Sequence, residues 1–446
     1  MSRTRDLTRG EPLPLIVRFS WPLVLSAFFQ QLYSFVDSVI VGRFVGVDAL
    51  ASVNLVYPIV FILLGLTMGS ALGFCVPYAQ AVGAKDHASA SRYFWNGLYA
   101  VVALSLLPAA LAFPAATPLL RLIHMPASLL SAAASYLTII LLGQVTVIAY
   151  NFAAGIIRAH GNSRRPFHFL LLGCAVNLVA DLLFIVGFGW GVAGAAWATV
   201  IGQAVSAVCA FAYLRRMRVI ATVDTSGSLR TLNGPVIRRL GTVGLPMGLE
   251  LAVNGIGSLI LQACVNTMGA AVVAAVAAAE KIRSLITLPM ENLGAAMSTY
   301  TAQNIGAGRI DRVRGGIRAA LTILIAYCIT AFGLVLVLRG PLVDLLLGPA
   351  VPEISTFAER YLIVVAVFFT LHALLQVFRG VVQGMGYGMP ALASGVLEIL
   401  GRVVGGGLAV YCASYTLVCL ANPLAWALAA AYCIILTVHQ VRCMER

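Results

Sequence analysis

Charged residues are scarce in this sequence. Only 10% of its 446 residues are Asp, Glu, Lys or Arg, whereas 61% are hydrophobic. A soluble domain of this size could not cover its surface with so few charged groups. The composition therefore excludes an ordinary soluble protein and predicts a chain embedded in a lipid bilayer.

Motifs of several enzyme classes are also missing. The nine cysteines form no Cys-x-x-Cys pair and show no metal spacing, so they are expected as small packing residues. The sequence has no His-Glu-x-x-His, no Gly-x-Ser-x-Gly and no Walker lysine pattern. These absences argue against an intramembrane hydrolase and against an ATPase domain. The protein is predicted not to be an enzyme and to need no cofactor.

Long apolar runs take the place of these motifs. The alternation of apolar and polar residues that marks a membrane β-barrel is lacking, and the runs are long enough for spanning helices of about 20 residues. They predict an all-α integral membrane protein with twelve transmembrane helices. The predicted limits are 14–42, 50–82, 91–114, 128–157, 166–188, 191–214, 236–268, 271–305, 313–338, 354–383, 390–410 and 413–438.

The net charge of +13 is distributed unevenly. Most of the 29 basic residues lie in the termini and in the loops that follow even-numbered spans. The loops on the opposite side contain only Arg43, Arg121 and Arg339. By the positive-inside rule, this pattern predicts a multi-pass protein of the plasma (cell inner) membrane with both termini in the cytoplasm. Its surroundings are the lipid bilayer, and no nucleic-acid partner is predicted. No cleaved signal peptide is expected.

The two halves of the chain resemble each other. The segment Ala79–Ala84 reads Ala-Gln-x-x-Gly-Ala and recurs at Ala302–Ala307, and Pro22 has a counterpart in Pro246. Each half has six spans, so both halves begin on the same side of the membrane. They are therefore expected to be related by a pseudo-twofold axis along the membrane normal. The predicted lobes are 1–218 and 236–446, joined by a cytoplasmic linker at 219–235.

Acidic residues inside the spans are costly and mark candidate functional sites. They are Asp37, Asp181, Glu250, Glu280, Glu291 and Glu398. Glu398 and Arg402 are four residues apart, and Glu280 lies near Lys281 and Arg283, so structural ion pairs are expected for both groups.

Asp37 and Asp181 have no basic residue in the following turn. Each has a polar residue four positions earlier, Tyr33 and Asn177, on the same helix face. The four side chains could hold a sodium ion or a proton in one cavity. Alternatively, they are helix contacts with a purely structural role.

Several motifs in order along the chain are similar to one family. They are Tyr33–Asp37, Val41–Gly46, Asn177–Asp181, Gly191–Thr199, Lys281–Ile282 and Gln303–Gly308. Together they resemble the multidrug and toxic compound extrusion (MATE) family, and the DinF-like branch most closely. The resemblance covers nearly the whole chain and implies two six-helix lobes.

The resemblance also implies site residues. In DinF-like members a cation site occupies the N-terminal lobe, and the matching residues here are Asp37, Asn177, Asp181 and Thr199, with Tyr33 beside them. If the coupling ion is sodium, these are its expected ligands. Pro22 matches a proline that permits the first span to bend, which makes it a candidate conformational hinge.

Three further residues are weaker candidates for substrate binding or coupling. Glu250 and Asn254 lie one turn apart in the seventh span. His372 stands where the NorM-like branch has a carboxylate, which argues against a NorM-type sodium site in the C-terminal lobe.

The expected function is secondary active efflux. A proton or sodium gradient would drive export of amphipathic, often cationic, drugs by alternating access, without an ATPase subunit. The alternative is a flippase for a lipid-linked precursor, which would need basic residues such as Arg402 and Lys281 facing its cavity.

Overall fold

A computed structural model of the protein describes residues 6–217, 230–348 and 352–445. Most of the predicted linker, residues 219–229, lies outside the described residues. The first half contains α1 (Pro12–Phe44), α2 (Val47–Gly83), α3 (His87–Leu122), α4 (Ala127–Ala159), α5 (Arg164–Asp181) and α6 (Gly191–Arg216). The second half contains α7 (Gly234–Asn266), α8 (Ala270–Gly306), α9 (Ile310–Leu347), α10 (Pro352–Val367), α11 (Phe369–Gly384), α12 (Gly388–Tyr411) and α13 (Tyr415–Glu445).

The described residues confirm the all-α fold. Ten of the helices are long and apolar enough to cross a membrane, and α10 with α11 forms one further span that is bent by 51°. The remaining long helix is α8, whose 37 residues include four charged side chains within the predicted eighth span. Together these elements account for the twelve predicted spans.

The bend between α10 and α11 departs from the predicted continuous span 354–383. Helix kinks are usually caused by proline, glycine or a locally widened turn. The segment from Val364 to His372 contains neither proline nor glycine, so the sequence carries no signal for the break at Phe368.

The described residues form two compact units. Unit 1 consists mainly of Trp21–Ala252, and unit 2 consists of Thr8–Ser20 and Val253–Arg446. In unit 1, α4 packs against α2, α3 and α6, and α5 packs against α6. In unit 2, α8 packs against α9, α10 and α11, and α12 packs against α13. The start of α1 therefore belongs to unit 2, whereas the predicted lobe limits remain a prediction.

Glycines allow close helix contacts within each unit. In unit 1, a Cβ on Gly69 would lie 2.7 Å from the Cα of Gly248, and one on Gly73 would lie 2.5 Å from the Cα of Gly244. Thus α2 and the first half of α7 meet backbone to backbone. In unit 2, a Cβ on Gly294 would lie 2.5 Å from the carbonyl oxygen of Gln376. Small residues at such crossings are typical of membrane helices, where close packing provides much of the stability.

Two glycines at equivalent places in the two halves each precede a helix. Gly46 precedes α2 with φ 119°, and Gly269 precedes α8 with φ 97°. Both values lie in a region that side chains disfavour, so glycine is needed to turn the chain back into the bilayer. Equivalent loops in the two halves therefore share the same backbone requirement.

Candidate functional site

Unit 1 contains a pair of neighbouring carboxyl groups, one buried and one partly buried. Asp37 lies on α1 and Asp181 is the last residue of α5. The two carboxyl groups interact electrostatically. Asp181 is 1% exposed, and no donor among the described residues reaches either of its oxygens or Oδ1 of Asp37. Two facing carboxylates in such a place repel each other, so the pair has to share a proton or hold a cation.

A cavity lies about one helix turn from these two acids, which we call the acid pair. It is lined by Tyr33 of α1, by Leu170, Gly173, Cys174 and Asn177 of α5, and by Thr199, Gly202, Gln203 and Ser206 of α6. The cavity is small and partly open, with room for about one water molecule. The structure thus brings the predicted residues Tyr33, Asn177 and Thr199 around one cavity, with Asp37 and Asp181 one turn further along α1 and α5.

Close contact between α5 and α6 positions the lining residues. A Cβ on Gly202 would lie 2.7 Å from the carbonyl oxygen of Gly173, so neither glycine could carry a side chain without separating the helices. Ser206 closes the cavity at this crossing and donates to the carbonyl oxygens of Phe169 and Gly202, each at 3.0 Å. The contact keeps Asn177 of α5 opposite Thr199 and Gln203 of α6.

The backbone changes form directly after Asp181. Residues Leu182–Gly187 form a π-helical turn, and such turns are frequent at functional sites. Within the turn, the ring of Phe184 stacks on that of Trp190, which follows the turn, with centroids 4.9 Å apart. The aromatic contact holds the C-terminal end of this segment in place. The wider π-helical turn sets the orientation of Asp181 at the end of α5.

Oxygen groups dominate the chemistry of this site. Asp37, Asp181, Asn177 and Thr199 provide carboxylate, amide and hydroxyl oxygens, which are the donors that hard cations prefer. Neither acid interacts with a lysine or arginine among the described residues. The arrangement can therefore bind a proton or a hard monovalent cation in place of a protein counter-charge.

The three weaker candidates for substrate binding or coupling are not among the residues that line this cavity. Glu250 is buried in unit 1 at 1% exposure. Asn254 belongs to unit 2, where its carbonyl oxygen accepts from Arg402 at 3.1 Å. His372, in unit 2, is 5% exposed, and its ring centroid lies 4.7 Å from that of Trp426.

His372 also lies beside an acid. Its Nε2 is 3.8 Å from Oε1 of Glu291, which accepts from Thr287 at 3.2 Å. The Nδ1 atom of His372 is buried and has no hydrogen-bond partner among the described residues. The structure places this pair with α8 and α11, separate from the residues that line the unit 1 cavity.

The ion pairs in unit 2 agree only partly with expectation. Glu280 binds Arg283 at 2.6 Å, as predicted. Glu398 contacts Arg379 at 3.3 Å instead of forming the predicted ion pair with Arg402. Arg402 donates to Asn422 at 3.1 Å. Side chains from other helices compete with a partner one turn away, which spacing along a single helix cannot reveal.

Gln203 is the principal site residue that sequence reasoning missed. It follows Thr199 by four residues on α6 and therefore shares its helix face. The same spacing linked Tyr33 with Asp37, so this signal was available. Tyr361 and Asn422, which both donate to Glu280, come from distant helices and had no such signal.

The comparison with known families decides the affiliation of the chain. A family model described as MatE matches residues 22–183 and 246–406. The chain belongs to the MatE family. This result confirms the resemblance to MATE proteins, and the DinF-like branch remains a prediction.

Similar MATE relatives span most of this chain. The probable multidrug resistance protein YpnP of Bacillus subtilis (strain 168) is 28% identical over 381 residues, covering 85% of this chain and 84% of YpnP. The multidrug export protein MepA of Staphylococcus aureus (strain NCTC 8325 / PS 47) is 21% identical over 386 residues, covering 86% of this chain and 84% of MepA.

Solved structures show the same fold. A structure described as a MOP superfamily transporter from Pyrococcus furiosus Vc1 (DSM3638) has a TM-score of 0.92 and 22% identity, covering 100% of this chain and 99% of that chain. A second, described as an outward-facing multidrug resistance MATE transporter, has a TM-score of 0.92 at 22% identity with the same coverage. These likenesses establish the membrane fold with its two helical bundles.

Proposed function

We propose that this MATE protein is a secondary active exporter of amphipathic, often cationic, compounds. The single observation that carries the proposal is the pair Asp37 and Asp181, which has no basic partner among the described residues. A site of this kind needs a proton or cation, and it can exchange either with an aqueous compartment. The names of YpnP and MepA, a multidrug resistance and a multidrug export protein, support drugs as the substrates.

Ion binding would drive transport through a change in populations. The substrate and the coupling ion each favour one of two states by their difference in affinity for them. A proton or sodium ion that binds Asp37 and Asp181 would favour the state that releases the drug, with Asn177 and Thr199 as further ligands. Pro22 lies inside α1 and is proposed as the hinge at which this helix bends.

The flippase alternative is less well supported by the buried charges. An anionic lipid headgroup requires basic side chains that are available to it. In unit 2, Arg283 is held by Glu280 and Arg379 contacts Glu398. Arg402, one of the residues that the alternative needs at its cavity, is buried and donates to Asn422 and to the carbonyl oxygen of Asn254. These arginines are therefore engaged by other groups of the protein, which favours drug export over transport of an anionic lipid.

Transport driven by separate ion gradients tests the proposal. We expect purified protein in proteoliposomes to move a fluorescent cationic dye when either a proton gradient or a sodium gradient is imposed. The responding gradient identifies the coupling ion. Dye movement that needs neither gradient, or none with a panel of cationic and neutral drugs, would contradict the proposed antiport.

The orientation of the chain is tested with its own cysteines. Cys412 lies in the loop between α12 and α13, and Cys443 lies near the end of α13; both are exposed. If the termini are cytoplasmic, a membrane-impermeant maleimide added outside intact cells should label a variant whose only cysteine is Cys412. A variant that retains only Cys443 should be labelled after lysis alone. The reverse pattern would overturn the proposed orientation.

A further inference from the structure

The cavity beside the acid pair extends toward one end of unit 1. Tyr33 and Asn177 lie one turn before Asp37 and Asp181, on helices α1 and α5 that run in the same direction through the predicted membrane. On α6, which runs back, Thr199 is followed by Gln203 and then by Ser206 at the crossing with α5. The cavity therefore continues from the acids toward the helix ends that carry Arg164 and Arg216.

Two polar atoms at the cavity have complementary chemistry. Nδ2 of Asn177 is a donor and Oε1 of Gln203 is an acceptor, and both are buried without a hydrogen-bond partner among the described residues. Asn177 is only 4% exposed. Buried polar groups are normally satisfied by protein or by ordered water. The cavity that both residues line has room for about one water molecule.

Gln203 also lies beside a residue of the coupling site. Its side chain lines the same cavity as Tyr33, and that tyrosine interacts electrostatically with Asp37 and Asp181. A water molecule between Asn177 and Gln203 would thus lie beside the tyrosine that interacts with the acids. Gln203, which supplies this amide oxygen, was not among the site residues predicted from the sequence.

We propose that Gln203 is a positioning residue of the coupling site and that, with Asn177, it holds an internal water molecule that hydrates the acid pair. The inference rests on the proposed function and deepens it. The water adds neutral hydrogen bonds to a site whose carboxylates have no protein cation. The water completes the polar lining beside the pair and so contributes to the affinity of the site for its ion.

The groups around the acid pair make this effect measurable. Tyr33 of α1 and Tyr136 of α4 interact with Asp37 and Asp181, and Cys174 of α5 faces Tyr33. The residues from α6 that line the cavity carry no charge. With no lysine or arginine acting on the acids among the described residues, neutral hydrogen bonds decide how readily the pair releases its ion.

A methionine at position 203 tests the role of the amide. Gln203→Met keeps the length of the side chain and removes both polar atoms. We expect the concentration of driving ion for half-maximal transport to change by about tenfold, because one hydrogen bond to a charged group is lost. The KM for the drug should remain unchanged.

Gln144→Met provides a matched control. Gln144 is another buried amide in unit 1, 1% exposed on α4, and it accepts from Thr67 at 3.2 Å. The same substitution there disturbs packing without touching the cavity, so the ion dependence should stay at the wild-type value. A folded Gln203→Met protein with wild-type ion dependence would overturn the proposed positioning role.

Radiolytic footprinting in ¹⁸O-labelled water tests the internal water itself. Hydroxyl radicals formed from a bound water should modify Tyr33 and Cys174 in the wild-type protein, with slow exchange of the label. Gln203→Met should reduce this modification severalfold, and Gln144→Met should not. Equal modification in all three proteins would refute the water site.

Measurements on Asp37→Asn and on the wild-type protein distinguish the proposed antiport from the proposed water site. If the proposed function is right, this variant loses ion-driven transport but retains footprinting at Tyr33. If wild-type protein shows no ion-driven transport yet Gln203→Met still lowers the footprint, the antiport hypothesis fails and the water site stands.

Discussion

Asp37→Asn should abolish ion-driven efflux while the protein remains folded in the membrane. Asparagine preserves the shape of the side chain and most of its hydrogen-bonding capacity, but it cannot bind and release a proton or offer a full charge to sodium. Loss of an interaction with a charged group costs up to about 3 kcal/mol, which corresponds to a decrease of about 100-fold in ion affinity. Asp181→Asn should act similarly, because the two carboxyl groups face each other.

Dye transport in proteoliposomes measures this loss, with equal amounts of folded protein confirmed by size-exclusion chromatography. Asp48→Asn is the matched control, since Asp48 is an exposed aspartate in the first turn of α2. It should transport at the wild-type rate. Wild-type drug resistance and ion-coupled transport in both Asp37→Asn and Asp181→Asn would show that the acids have only a structural role.

Thr199→Val should weaken ion binding, whereas His372→Ala should leave a clear ion response. Thr199 lines the unit 1 cavity, and valine removes its hydroxyl group at nearly constant volume. Loss of one neutral ligand is worth about 1 kcal/mol, so we expect a decrease of roughly fivefold in ion affinity. His372 lies in unit 2, whereas Asp37 and Asp181 lie in unit 1.

Ion-triggered tryptophan fluorescence or direct cation binding provides the measurement. Thr146→Val is a matched control, because Thr146 lies on α4 in unit 1 and donates only to the carbonyl oxygen of Gly143 at 2.8 Å. His372→Gln accompanies the alanine variant, since truncation next to Trp426 could disturb packing. Loss of the response in both His372 variants, with Thr199→Val unaffected, would move the coupling site to unit 2.

Helical architecture was largely predictable because the bilayer imposes it. Every backbone polar group inside the membrane must be paired within its own segment, so an apolar run of sufficient length becomes a helix. The second span begins directly after Gly46, and the fifth span, with its π-helical turn, ends at Gly187. Both limits agree with the predicted spans to within a few residues. The π-helical turn after Asp181 was not predicted, since no residue pattern distinguishes it from the α-helix that it continues.

Local spacing predicted part of the candidate site. Side chains four residues apart share a helix face, which was sufficient to pair Tyr33 with Asp37 and Asn177 with Asp181. The resemblance to MATE proteins added Thr199. The same spacing relates Gln203 to Thr199 on α6. The sequence does not indicate, however, that α6 turns this face toward α5.

Contacts between distant segments were beyond the reach of such rules. The ion pair of Glu398 with Arg379 joins two helices, and the spacing within α12 favoured Arg402 instead. The approach of Gly244 and Gly248 to α2 likewise places part of the seventh span in unit 1. Both results depend on which helix faces meet, and many pairings satisfy the same apolar composition.

The sequence by itself determined the membrane environment, the helical class, the repeat and the residue types of the candidate site. These properties follow from composition and from spacing along one helix, which act locally. Only the tertiary structure decided that Asp37 and Asp181 lie near each other, that Gln203 lines the same cavity as Tyr33 and Asn177, and that Arg379 pairs with Glu398. The physical reason is that a bilayer fixes each helix by its own hydrogen bonds, whereas the partners of its side chains depend on close packing between helices.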